Sequence, residues 1–220
     1  MLYLGEANMF AASTYDEIVR QEREIDSREI VVFLFVRPTK ASDREIINEF
    51  EYIHYNSGKY CSVYAIGYTN DPDKATNPEY RPVTEVSENK WWFSTKAFVE
   101  FKTKLEQQIK WRYSGESEIL ILQNNPGKSK VLDFSNYVSI NINSGLRKGY
   151  LDSFQVFMES LIRSARGEVT AKEAIRGVRK GKLSIKDAVL SAIEDSKKVP
   201  KPIKSILTDR LFYRSANTFL

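Results

Sequence analysis

The sequence predicts an α/β fold: a central mixed sheet flanked by helices, with a helical extension at the C-terminus. Two observations carry this. Between Ile30 and Ile162 the apolar periodicity changes in the order strand, helix, strand, helix, strand, turn, strand, helix. Within that run a strand, a helix and a strand follow one another directly, from Ile30 to Tyr68, the pattern of a right-handed parallel crossover.

The elements are read in chain order. Ser13-Thr14-Tyr15-Asp16 sets a hydroxyl three residues before an acid, and Tyr15, Ile18, Val19, Glu22 and Ile25 trace a partly apolar stripe, so a helix is expected from about Thr14 to Ile25. Ile30 to Val36 is continuously apolar, β-branched and aromatic, and stops at Arg37-Pro38; it reads as a strand buried on both faces, the centre of the sheet. Ser42-Asp43-Arg44-Glu45 has the form of a capping box, opening a helix whose Ile46, Ile47, Phe50 and Ile53 share one face and which ends near Gly58. Tyr60 to Tyr68 is the second strand.

Thr69 to Lys90 is poor in apolar residues and contains Asn-Asp-Pro, Asn-Pro and Arg-Pro, so it reads as a long loop. Trp91-Trp92-Phe93 follows, then a helix capped by Ser94 with Ala97, Phe98, Phe101, Leu105 and Ile109 as its buried stripe. Glu118 to Leu122 and Lys130 to Phe134 flank a turn-rich segment and predict an antiparallel hairpin, extended by Tyr137 to Ile142. A last core helix is expected from about Tyr150 to Arg163. Residues 1–166 then form the main domain and residues 167–220 the extension, in which Thr170 to Ile175 is echoed by Ser184 to Val189, each opening a short amphipathic helix. Ile203, Ile206, Leu207, Leu211, Phe212 and Phe219 are apolar enough for that extension to pack on the domain.

Composition narrows the function classes. With 42% hydrophobic and 28% charged residues the chain matches an ordinary globular protein, and no apolar run approaches the roughly 18 to 20 residues that span a bilayer, so no membrane partner is expected. Met1 to Glu6 lacks a basic start leading into a long apolar stretch, from which a cytoplasmic address is expected. A single cysteine, Cys61, rules out an internal disulfide and any Cys-x-x-Cys pair, and with His54 as the one histidine a Cys/His zinc site lacks ligands. No cofactor is expected. The net charge of +4 is unevenly spread: from Arg147 onward 16 Lys/Arg stand against 8 Asp/Glu, or +8, whereas residues 1–146 hold 17 against 21, or −4. Such a split marks either a solvated helical surface or a basic face that meets an acidic partner.

The strand Val31 to Val36 with Arg37-Pro38, its helix and the strand Ser62 to Ile66 resemble the first half of a thioredoxin-like domain, and the helix, hairpin and helix from Ser94 to Arg163 resemble the second. The resemblance implies that fold over about 135 residues of the chain. It does not extend to the chemistry. Disulfide-exchanging members carry a cysteine at the start of the first core helix, where this chain has Thr39-Lys40-Ala41-Ser42, and a proline just before the third strand, where it has Gly115-Glu116-Ser117. The nucleophile of that chemistry is a thiolate, which hydroxyls of ordinary acidity do not replace, so the expected domain is redox-inactive.

Three constellations remain as candidates. Trp91 and Trp92, adjacent in an extended segment, point to opposite sides, so one of them is available to a protein partner or both close the core beneath the loop. Arg176, Arg179, Lys180, Lys182 and Lys186 bracket the turn between the two C-terminal helices and would contact nucleic-acid phosphates without reading sequence. Pro72-Asp73 followed by Glu88-Asn89-Lys90 has the outline of the acid, acid-x-lysine pattern of restriction-like nucleases, in which two carboxylates hold magnesium and the lysine assists water. The expected role is therefore a non-catalytic binding or scaffold protein that engages a protein partner, within a nucleic-acid-associated assembly, with a magnesium-dependent nuclease using Asp73, Glu88 and Lys90 as the alternative.

Overall fold

The computed structural model describes residues 9–24, 30–58, 61–124, 131–149 and 151–165. The C-terminal extension expected over residues 167–220, with its basic cluster, lies outside the described residues.

Five strands form a mixed sheet. β2 (Ile30–Phe35) lies at its centre and is buried at all six positions. It pairs parallel with β3 (Cys61–Ile66), which pairs parallel with the edge strand β1 (Met9–Ala12). On its other side β2 pairs antiparallel with β7 (Glu118–Asn124), and β7 with the long edge strand β8 (Leu132–Asn141). The strand order is β1-β3-β2-β7-β8. β8 fuses the two extended pieces expected at Lys130 to Phe134 and Tyr137 to Ile142, with an irregularity opposite Leu122 and Gln123.

Helix α1 (Tyr15–Glu24) and helix α5 (Thr95–Gln108) pack on one face of the sheet through rings: Phe33 meets Phe101 edge-on at 5.6 Å, Phe35 meets Phe98 at 5.9 Å, and Tyr15 lies 6.2 Å from Phe101. Such edge-on pairs let quadrupoles attract and fix ring positions beyond simple burial. The helix expected from Ser42 to Gly58 is two helices, α2 (Ala41–Asn48) and α3 (Phe50–Asn56), joined at Glu49, where the chain tightens through a bond from Glu49 N–H to the Ile46 carbonyl. α6 (Ile142–Arg147), capped by Asn141, was not expected from the sequence, and α7 (Phe154–Ala165) closes the domain. No helix among the described residues is long and apolar enough to cross a membrane.

Of the two capping boxes read in the sequence within the described residues, one shifts by a residue and the other does not form. At α1 the reciprocal pair is Thr14 and Glu17: Glu17 N–H donates to Thr14 Oγ1 at 3.3 Å and Thr14 N–H to Glu17 Oε2 at 3.1 Å. At α2 the box at Ser42 does not form. The helix starts earlier, behind Lys40, which makes no side-chain cap, and Asp43 turns inward.

The long loop expected from Thr69 to Lys90 is instead a second, antiparallel sheet. β3 runs through Gly67 into β4 (Tyr68–Thr69); after α4 (Pro72–Ala75), β5 (Tyr80–Val86) and β6 (Asn89–Ser94) form a hairpin, giving the order β4-β6-β5. Asp71-Pro72, read as a breaker, is a helix start: the Asp71 carboxylate accepts from Asp73 N–H at 2.9 Å and Pro72 occupies the first turn, where it lacks nothing. β5 escaped recognition because it is an edge strand with Pro82 and an irregularity at Val83, so its apolar alternation is broken. Lys74 of α4 donates to Glu17 and, at 3.1 Å, to Ser13 Oγ, tying the excursion to α1. Burial pushes the Glu17 carboxyl up, but the Lys74 ammonium and the Thr14 and Ser13 donors outweigh it and hold the group below its ordinary 4.5.

Candidate functional site

Two loops that the resemblance singles out meet in space. After β2 the chain passes Val36 and Arg37, turns at Thr39, whose N–H donates to the Arg37 carbonyl at 2.7 Å, and enters α2. Ser117, last residue before β7, donates its hydroxyl to Asp43 Oδ1 at 2.7 Å, and Asn143 of α6 donates to the same oxygen at 3.2 Å. Asp43 is 4% exposed, so this carboxylate, in the first turn of α2, knits α2, the start of β7 and α6 together. Asn143 Oδ1 is buried without a hydrogen-bond partner among the described residues.

A second buried carboxylate directly follows Ser117 in the chain. Glu118 accepts from Trp111 Nε1 at 3.2 Å, from Ser139 Oγ at 2.8 Å and from the N–H and hydroxyl of Ser114 at 3.1 Å each. Tyr113 stands among these groups. Burial pushes its phenol up to about 12, the Arg37 guanidinium pulls it down, and the carboxylates of Glu118 and Asp43 add to the rise. Burial, with the nearby Asp43 charge, likewise raises the Tyr68 phenol, which donates to the Val36 carbonyl at 3.2 Å. Each carboxylate is held by two or more donors, so the cluster is built as a brace for α2, β7 and α6.

Alongside α2 lies an open cleft of about 1000 Å³. It is lined by α2 with the preceding Pro38 and Thr39, by β5 and the segment before it, and by the N-terminal part of α5. Ser94 caps α5 by accepting from Ala97 N–H at 3.2 Å, leaving Thr95 and Lys96 of the first turn at the cleft. The inserted sheet thus converts what reads as a loop into the wall of a recess.

The residues singled out in the sequence are dispersed. Trp91 is buried, its ring 5.9 Å from Phe50 and 6.3 Å from Tyr68, so it belongs to the core under β6, and Trp92 on the opposite face is half-buried. Asp73 lies in the first turn of α4, Glu88 at the tip of the β5–β6 hairpin, and Lys90 on β6 opposite Glu85. Among the described residues no group of three or more His, Cys, Asp or Glu side chains is placed to hold a metal ion. Arg176, Arg179, Lys180, Lys182 and Lys186 lie outside the described residues. Cys61 is buried in β3, and His54, near the end of α3, has Nδ1 3.3 Å from the Met9 carbonyl. The sequence reading missed Arg44 and Arg81 at the cleft; Arg44 lies in α2 and Arg81 in β5, and no local pattern joins them until β5 is recognised as a strand. Comparison with family models, curated proteins and solved structures gives no match.

Proposed function

We propose that this chain is a cytoplasmic, non-catalytic binding protein on a redox-inactive thioredoxin-like frame, and that it engages a protein partner at the cleft between α2 and the inserted sheet. The frame reading is supported by the succession β2, α2, α3, β3 with parallel pairing, followed by α5, β7, β8 and α7 with antiparallel pairing. One observation carries the functional reading: Thr39 to Ser42, where the frame would hold a thiol, has none and is followed by the braced Asp43, while the largest departure from the frame, the β4 to β6 excursion, lines an open recess. Additions that line a recess on a rigid scaffold are where recognition concentrates.

The test is capture of partners from native extract on the immobilised chain, with and without nuclease treatment, repeated with Arg81→Glu, with Arg176→Glu/Arg179→Glu and with Glu88→Ala. Nuclease-resistant, stoichiometric protein capture that Arg81→Glu abolishes and Glu88→Ala leaves intact is the expected result. Capture lost only with the Arg176 and Arg179 reversals would move recognition to the basic extension. Magnesium-dependent cleavage of DNA abolished by Glu88→Ala would replace the reading with the nuclease.

A further inference from the structure

We infer that the segment this cleft receives is acidic: an extended peptide in which Asp or Glu alternates with apolar residues. The inference rests on the binding reading above and names the chemistry of its ligand. Three cations border the cleft, Arg44 on α2, Arg81 on β5 and Lys96 on α5, against one acid, Glu79. Glu79 is committed, since Lys96 Nζ lies 3.2 Å from its Oε1. Arg44 and Arg81 make no ion pair among the described residues, and they reach the cleft from different elements, α2 and β5. A guanidinium presents a planar fork that a carboxylate fills with two parallel hydrogen bonds, so the free charge of the cleft is of the kind that selects carboxylates.

The cleft is also lined by apolar side chains: Pro78, Pro82 and Val99 are exposed and Pro38 and Val83 half-buried, and these, rather than the buried Ile47 and Phe93, supply the apolar base a ligand can reach. Side chains of an extended peptide alternate in direction, so acids can reach the walls while apolar neighbours cover this base. Single-stranded nucleic acid fits less well. Phe93, the one aromatic at the cleft, is 5% exposed and packed against Tyr68 at 5.0 Å and Phe98 at 5.8 Å, so it offers no face to a base. The chain's own C-terminal extension fits poorly by sign, because residues 167–220 hold 12 Lys/Arg against 6 Asp/Glu, or +6. Strand addition to the edge of β5 is also disfavoured: Pro82 has no N–H and the register breaks at Val83. The peptide is therefore held by its side chains.

The experiment uses the full chain and fluorescence polarisation of a labelled short peptide alternating glutamate and leucine, a glutamine-for-glutamate version, and a single-stranded DNA oligonucleotide. The expected result is saturable binding of the glutamate peptide that weakens roughly tenfold or more with Arg81→Glu or Arg44→Glu, as loss of a charged hydrogen-bonded contact requires. Arg81→Lys should weaken it less than Arg81→Glu, and the exposed control Arg20→Glu not at all. Both arginines are exposed, and unchanged circular dichroism establishes that the variants are folded. Equal binding of the glutamine peptide, equal weakening by Arg176→Glu/Arg179→Glu, preference for the oligonucleotide, or self-association of the chain through Arg81 each overturns the proposal. If Arg81→Glu abolishes partner capture but the glutamate peptide does not bind, the ligand class falls and the binding reading stands; if capture ignores Arg44 and Arg81, the binding reading itself falls.

Discussion

Replacing Gly67 by alanine should be among the most damaging single-methyl changes available in this chain. Gly67 joins the two sheets: its N–H donates to the Ala12 carbonyl and its carbonyl accepts from Ser94 N–H, both at 2.9 Å. Its φ of +87° lies in the left-handed region, which costs an alanine about 1–2 kcal/mol. A Cβ there would stand 2.7 Å from Phe98 Cβ and 3.1 Å from Phe98 Cα, so the backbone of α5 must move, an overpacking cost of about 1–3 kcal/mol. The sum is about 2–5 kcal/mol. Gly115 supplies the control: its φ is +88° and an added methyl would meet nothing within 4 Å, so Gly115→Ala should cost only the conformational part, about 1–2 kcal/mol. Urea unfolding followed by tryptophan fluorescence gives both values from the midpoints at constant slope. Equal losses for the two variants would refute the close approach of α5 to the joint.

Three further outcomes follow from the polar contacts and the hairpin. Glu118→Ala orphans the buried Trp111 indole and Ser139 hydroxyl and should cost about 2–5 kcal/mol in urea unfolding, with Glu118→Gln milder because its amide oxygen still accepts. Glu17 has a depressed folded value, so its contribution is complete above 4.5 and is lost as pH falls through that lower value. The stability gap between wild type and Lys74→Met, at most about 1 kcal/mol for so exposed a pair, should therefore be present at neutral pH and vanish at strongly acidic pH; a gap that persists there refutes the assignment. Ser87 and Glu88 form the two-residue tip of the β5–β6 hairpin with φ of 50° and 64°, a conformation suited to Asn-Gly. The double change Ser87→Asn/Glu88→Gly should raise stability by roughly 1 kcal/mol in thermal unfolding, and a loss would contradict the turn geometry.

What was legible in the sequence was whatever long apolar periodicity announces: the buried run at β2, the Ser94 cap and stripe of α5, and the hairpin strands β7 and β8. What was missed was short or polar. β1 has four residues and takes its strand identity from parallel pairing with β3, a contact no local pattern reports. β5 has one flank free and a proline inside it, so it carries the composition of a loop. Asp43 read as part of a cap because Ser42-Asp43-Arg44-Glu45 satisfies the local rule; the competing partners, Ser117 and Asn143, come from the distant end of the domain. The cleft shares that fate, since Arg44 and Arg81 are brought to one recess only by the fold.

The central place of β2 also has a consequence for how the chain is made. Ile30 lies opposite both Cys61 and Gln123, so one flank of the strand is covered soon after synthesis and the other only when β7 leaves the ribosome. At about 5–20 residues per second that interval is on the order of three to twelve seconds, whereas the β5–β6 hairpin can close in about 1–10 μs. Throughout that interval Ile30–Phe35, apolar at every position, is a half-paired edge on a nascent chain, the kind of segment that chaperones hold and that crowding polysomes would aggregate.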